Sequence, residues 1–246
     1  MRRAISHVAV IIPARNEEAL IARCLESVAV AIAEVRSRRV TVSVTVVADD
    51  CTDDTVTIAR SFEGVRVLGV EAAGVGTTRS IAAAYAIGRA EVDPSTIWIA
   101  NTDADSVVPP QWITEQLRLA GRGVDLMIGT VRPDFADLSP AQIDAWLRSH
   151  PEGHANGHVH GANLGLRAQL YIDAGGYPPL AEHEDVDLVA RCAALNPTTV
   201  ATAACEVLTS GRPYGRTDGG YARYLRSDLV TTETQSKGQS HDDLDH

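Results

Sequence analysis

The sequence predicts an α/β protein whose mostly parallel central sheet is flanked by helices. Three observations carry that expectation. Short apolar runs alternate with amphipathic stretches four times in the first hundred or so residues. The apolar runs are too short for buried helices and are bounded by turn residues, as parallel strands are. Each run also ends in polar residues, and ligands in such sheets bind beyond the carboxyl ends of the strands.

Val8 to Ile12 is the first strand, stopped by Pro13. From Glu17 to Val35, Leu20, Ile21, Cys24, Leu25, Val28, Ile32 and Val35 recur at helical spacing, with Asn16 as the expected cap and Glu17 and Glu18 at the positive end. Val40 to Val47 is the second strand, leading into Asp49-Asp50-Cys51-Thr52-Asp53-Asp54. Asp53 and Asp54 suit the start of the helix that follows. Val65 to Val70 is the third strand, Gly74 and Gly76 form a turn, and Thr77 to Arg89 is an alanine-rich helix. Ile97 to Ala100 is the fourth strand.

The second half is less regular. Helices are expected over Pro110–Leu119, from Ser139-Pro140 to Arg148, over Arg167–Ala174, over Glu184–Leu195 and over Gly219–Leu229, and extended chain over Leu126–Val131 and Thr199–Leu208. The organisation expected is a single domain over residues 1–230, with one half at 1–108 and the other at 109–230. Residues 231–246 read as a disordered polar tail.

A length of 246 residues suits one large α/β domain. The net charge of −10 argues against sequence-independent nucleic-acid binding. No run approaches the length of a membrane span. Cys24, Cys51, Cys192 and Cys205 show no metal or redox spacing, which fits reduced thiols in a cytoplasmic protein.

The chemistry concentrates at Asp103-Ala104-Asp105, just past the fourth strand. Two carboxylates one residue apart repel each other, and a hard divalent cation such as Mg²⁺ or Mn²⁺ relieves the repulsion while keeping sites for phosphate oxygens. The plain alternative is a polar turn. Asp49 has the chemistry to accept an N–H from a nucleobase, or to act as a cap. Arg79, near a helix start, suits a phosphate or an ordinary surface ion pair. His183-Glu184-Asp185-Val186-Asp187 sets three acids at a helix start, more than the helix dipole calls for, so one is a candidate general base. Asp187 and Arg191 are spaced to pair. His150, His154, His158 and His160 have helical spacing for zinc, but Pro151, Gly153 and Gly157 favour a mobile loop with one histidine reaching the site.

Taken in series, Val10-Ile11-Ile12-Pro13-Ala14-Arg15-Asn16-Glu17-Glu18, Ala48 to Thr55, Asp103-Ala104-Asp105, Gly161-Ala162-Asn163-Leu164-Gly165, Gly175-Gly176-Tyr177 and Glu184-Asp185 resemble the glycosyltransferase family 2 proteins over about residues 5–228. The resemblance implies a GT-A fold, a nucleoside-diphosphate sugar donor (a UDP-sugar by default) and an inverting transfer that depends on Mn²⁺ or Mg²⁺. It implies that Pro13, Ala14, Arg15 and Glu17 line the nucleoside pocket, that Asp49 contacts the base and that Arg79 contacts the base or diphosphate. Asp103 and Ala104 would meet the donor, and Asp103 and Asp105 the metal. Asp185 would be the base, with Glu184, Gly161 and Asn163 on the acceptor side.

Ala48 and Cys51 stand where the family usually has an acid and a serine, which leaves the base contact open between Asp49 and Asp50. His160 and His183 are candidates for a third metal ligand. Ser210-Gly211-Arg212 with Arg216 resembles a segment that folds over the diphosphate. Without membrane helices, a small-molecule or lipid-headgroup acceptor suits the chain better than processive polymer synthesis. Two other classes compete: a sugar nucleotidyltransferase, which would release pyrophosphate, and a non-catalytic nucleotide-sugar-binding protein.

Overall fold

The computed structural model describes residues 3–36, 39–71, 73–155, 157–215 and 219–229. The expected tail at 231–246 and Arg216 lie outside them. Two compact units divide the chain, one built from residues 1–132 and 155–209, the other from 133–154 and 210–246.

The first unit holds the expected α/β sheet. In chain order it contains β1 (His7–Ala14), α1 (Ile21–Ala33), β2 (Thr41–Asp49), α2 (Thr55–Arg60), β3 (Val65–Val70), α3 (Val75–Ala90), β4 (Ile97–Asn101), β5 (Ser106–Val107) and α4 (Trp112–Gly121). β6 (Leu126–Pro133) follows and runs up to the start of the second unit. α5 (Pro140–Ser149) belongs to that second unit, and the chain then returns through β7 (Leu164–Arg167), α6 (Ala168–Asp173), α7 (Glu184–Ala193) and β8 (Thr199–Thr209). α8 (Gly220–Arg223) closes the described chain and continues into a π-helical turn, Tyr224–Asp228.

The strand order is β3-β2-β1-β4-β7-β6-β8-β5. β1 pairs in parallel with β2 and with β4, and β2 in parallel with β3. This is why Val8 to Ile12 are apolar without alternation: both faces of the central strand are covered, and all five are fully buried. The core beside it joins Ile11, Ile97, Ile99, Leu164 and Leu166 to Ala82, Ala83 and Ala86 of α3. β7 runs antiparallel to β4 and to β6 and extends the sheet beyond its parallel heart.

Two expectations are corrected. α1 starts at Ile21, not Glu17, and Asn16 does not cap it: Asn16 takes a left-handed φ of 52° and its Oδ1 accepts from the Thr52 amide at 2.8 Å. Leu164–Arg167 is a strand that was not expected. Among the described residues no helix is long and apolar enough to cross a membrane. Cys24, Cys192 and Cys205 are buried free thiols, and burial pushes Cys205 up to about 12 and Cys192 up to about 11.

The second unit packs Ala145 and Trp146 of α5 against Leu225 and Leu229. His150 stacks on Trp146 with ring centroids 4.5 Å apart. Gly211 donates its amide to Asp137 Oδ2 at 2.8 Å.

Candidate functional site

The parallel strands end on one edge, and there the predicted residues gather. β1 delivers Pro13, Ala14 and Arg15; in register, Ala14 faces Ala48 of β2. Cys51 takes the serine's place by bridging the two strand ends: its Sγ donates to the Ala14 carbonyl and accepts from the Asn16 amide, each at 3.4 Å. Asn16 and Asp50 are both left-handed, with φ of 52° and 49°. Strained backbone at adjacent strand ends is characteristic of ligand-binding turns.

Asp49 is 4% exposed and accepts the amides of Ala73 and Gly74 at 2.7 and 3.0 Å, fixing the loop that leads into α3. Its carboxylate therefore has a structural occupation, though not as a cap of the helix after β2, whose N-cap is Asp54. Arg15 reaches Asp50 at 3.5 Å and Asp49 at 3.9 Å. Glu17 is buried, with its amide on Thr55 Oγ1 at 2.7 Å.

Arg79 is not a surface ion pair. It lies one turn inside α3, 2% exposed, with Nη2 on Asp103 Oδ1 at 2.5 Å and Nε on Glu184 Oε1 at 3.0 Å. Its guanidinium carbon stands 6.0 Å from the centre of the Tyr177 ring. Gly161 packs beside it so closely that a Cβ there would strike Nη2. Asp103 past β4, Arg79 on α3 and Glu184 on α7 thus form one charge cluster around a buried guanidinium.

Asp103 opens a turn in which its carbonyl accepts from the Ser106 amide at 3.1 Å and from Cys24 Sγ at 3.2 Å. Asp105 lies within 3.4 Å of the hydroxyls of Ser106 and Thr209. Burial raises the Cys24 thiol above its usual range, and Asp105 and Asp103 both add to the rise. Ala104 between them is buried.

At the start of α7, His183 adopts a left-handed φ of 60°, and Glu184 after it is buried. Desolvation raises the Glu184 carboxyl; Arg79 pulls it down and Asp185 pushes it up. Desolvation likewise raises Asp185, against the pull of Arg79 and of amide donors at Val186 and Gly161. The Val186 bond to Asp185 Oδ1 is 2.8 Å. A carboxylate held above its usual range has the basicity that proton abstraction needs. Asp187 instead pairs with Arg191 at 2.6 Å, as its spacing predicts.

The amide of Asn163, expected on the acceptor side, is not exposed to solvent. Asn163 is fully buried, donating to the Thr130 and Cys205 carbonyls at 2.8 and 2.9 Å and accepting from Trp112 Nε1 at 2.9 Å. Nor do the loop histidines form a metal cluster: among the described residues no three His, Cys, Asp or Glu side chains are grouped to hold an ion. Two residues at the site carry no role in the sequence reading. Tyr177 donates its hydroxyl to Asn101 Oδ1 at 2.7 Å, and Asn101 donates to the Leu164 carbonyl at 2.8 Å, so the pair supports Arg79 from below. Their signal was Tyr177 after two glycines and Asn101 at the strand end, neither of which reveals the other.

A family model described as Glycosyl transferase family 2 matches residues 9–159. Solved structures share the fold. The 1–349 fragment of S. aureus TarS in complex with UDP-GlcNAc matches with a TM-score of 0.64 and 17% identity, over 93% of this chain and 66% of that one. Mannosyltransferase PcManGT from Pyrobaculum calidifontis, in complex with GDP-Man and Mn²⁺, matches with a TM-score of 0.60 and 19% identity, over 98% and 77%. M. tuberculosis glucosyl-3-phosphoglycerate synthase in complex with phosphoglyceric acid matches with a TM-score of 0.54 and 20% identity, over 92% and 79%. The chain thus spans about two thirds of the length of the TarS fragment, at 66%. A search of curated proteins finds no match.

Proposed function

The chain belongs to glycosyl transferase family 2, and from that premise we propose that it moves a sugar from a nucleoside-diphosphate sugar to an acceptor hydroxyl. The observation that carries the proposal is the convergence of Asp103 and Glu184 on the buried guanidinium of Arg79, at 2.5 and 3.0 Å, with Asp185 next in the chain. That joins a diphosphate-type site past β4 to a carboxylate pair at the start of α7.

On this reading residues 1–108 supply the donor half and 109–230 the acceptor half. Pro13, Ala14, Arg15 and Glu17 line the nucleoside side. Asp49 holds the loop that shapes it, and the exposed Asp50 shares the base contact. A UDP-sugar is the default donor, supported by the UDP-GlcNAc in the TarS fragment, while the GDP-Man in PcManGT keeps a guanosine donor in the trial. The acceptor is a small molecule or a lipid headgroup, met by Asp185, Glu184 and Gly161, and the setting is cytoplasmic.

The donor set fits a divalent cation. Asp103 offers Oδ2 besides the oxygen on Arg79, and Asp105 lies among hydroxyls. Two carboxylates leave most of an ion's coordination sphere open, which suits an ion shared with phosphate oxygens. Mn²⁺ in the PcManGT complex supports the same reading. Bound there, the ion offsets negative charge on the leaving diphosphate.

The chain's own residues do the rest. Asp185 accepts the acceptor's hydroxyl proton as the oxygen attacks the anomeric carbon. The bond from that carbon to the diphosphate oxygen breaks, and the nucleoside diphosphate leaves. With attack opposite the leaving group, the transfer inverts configuration. The test is release of nucleoside diphosphate from a panel of UDP- and GDP-sugars offered with candidate acceptors. Asp185→Asn should lower transfer by about 10²–10⁴-fold, the usual worth of a general base, with nucleotide affinity unchanged. Full transfer by Asp185→Asn would remove the assignment.

A further inference from the structure

A guanidinium as buried as that of Arg79 persists only when paired, and it is paired twice, to carboxylates 24 and 105 positions away in the chain. Tyr177 holds its face and is itself fixed by Asn101. Gly161 leaves the room that Nη2 occupies. Nη1 has no hydrogen-bond partner among the described residues. Only a planar fork of donors serves two carboxylates at once; a lysine ammonium in this place would favour one of them.

We propose that Arg79 is a positioning residue that holds Asp103, on the donor side, in register with the Glu184-Asp185 pair on the acceptor side, so that the charge at position 184 sets how firmly Asp103 is held. This rests on reading the site as a nucleotide-sugar site. The two carboxylates share one cation. When Glu184 is neutral, the whole charge of Arg79 falls on Asp103 and draws it away from a divalent ion. Donor-side affinity is thereby tied to a residue that need not touch the donor.

The test is a double-mutant cycle on the full chain, with UDP and GDP as probes and calorimetry as the readout, with and without Mn²⁺. Glu184→Gln should weaken Mn²⁺-dependent nucleotide binding by about fivefold and leave Mn²⁺-free binding unchanged. In an Arg79→Gln background the same change should have an effect of less than about twofold, because close neighbours in one network couple and the link would be gone. Where Arg79→Gln fails to fold, Arg79→Met, which also removes the shared charge, is read in its place with the same expectation. An equal loss in both backgrounds would mean that Glu184 acts through its field alone, and no loss in the wild-type background would mean no link; either overturns the proposal while the nucleotide reading stands. Failure of the wild-type chain to bind UDP or GDP with Mn²⁺ overturns both.

Discussion

Asp185 and Glu184 are acids that the fold holds partly against their solvation. Burial raises the Asp185 carboxyl more than Arg79 lowers it, so the folded value exceeds the unfolded one. The fold therefore favours the protonated form. Its contribution to stability is fully present below the unfolded value, about 4 for an aspartate, and is lost as pH rises through the folded value. Asp185→Asn should accordingly raise Tm at neutral pH, with the gain shrinking as pH falls toward that range. Thermal melts of both proteins across pH read it directly, and a gain that grows on acidification would contradict the sign. The same residue shows what sequence reading reaches. Asp185 and Asp103 stand out by their neighbours in the chain, whereas the burial that gives Asp185 its basicity comes from packing. Arg79 was legible as a site residue, but its partners were not, since 24 and 105 positions separate it from them.

At the scale of elements, the four parallel strands were legible because they are short valine- and isoleucine-rich runs that end in turn residues. β7 was not: Leu164–Arg167 is four residues long and reads as part of the preceding loop. The start of α1 was misplaced for a different reason. The stretch before Ile21 is tied to the loop after β2 by Glu17 N to Thr55 Oγ1 at 2.7 Å, Glu18 N to Asp53 Oδ2 at 3.0 Å and Asp54 N to Glu18 Oε2 at 3.0 Å. These bonds compete with the helix and cross about 35 positions of chain, beyond any local pattern. Where the signal is local the reading succeeds. Ser139 accepts from the Gln142 amide while Gln142 Oε1 accepts from Ser139 N at 3.0 Å, a reciprocal cap at the expected start of α5. Ser139→Ala should cost about 1 kcal/mol of stability, measured by urea unfolding, and a change within error would show that the cap adds nothing beyond Pro140.

At the scale of the molecule, the sheet brings residues from opposite ends of the first unit onto one edge. Asp49 ends a strand, Arg15, Asp103 and Asp105 follow strands, and Arg79, Glu184 and Asp185 begin or nearly begin helices. An acidic chain of net charge −10 that assembles this many carboxylates at one edge needs cations there, and Arg79 supplies one from within. We propose that this edge is a nucleotide-sugar site that uses a divalent ion on Asp103 and Asp105. A thermal-shift series with UDP and GDP, each with and without Mn²⁺, tests it most directly, because a ligand bound only by the native state raises its apparent stability. The expected result is a shift for one nucleotide that needs Mn²⁺ and disappears in Asp105→Ala. No shift for either nucleotide, or one equally large without Mn²⁺ and in Asp105→Ala, would contradict it.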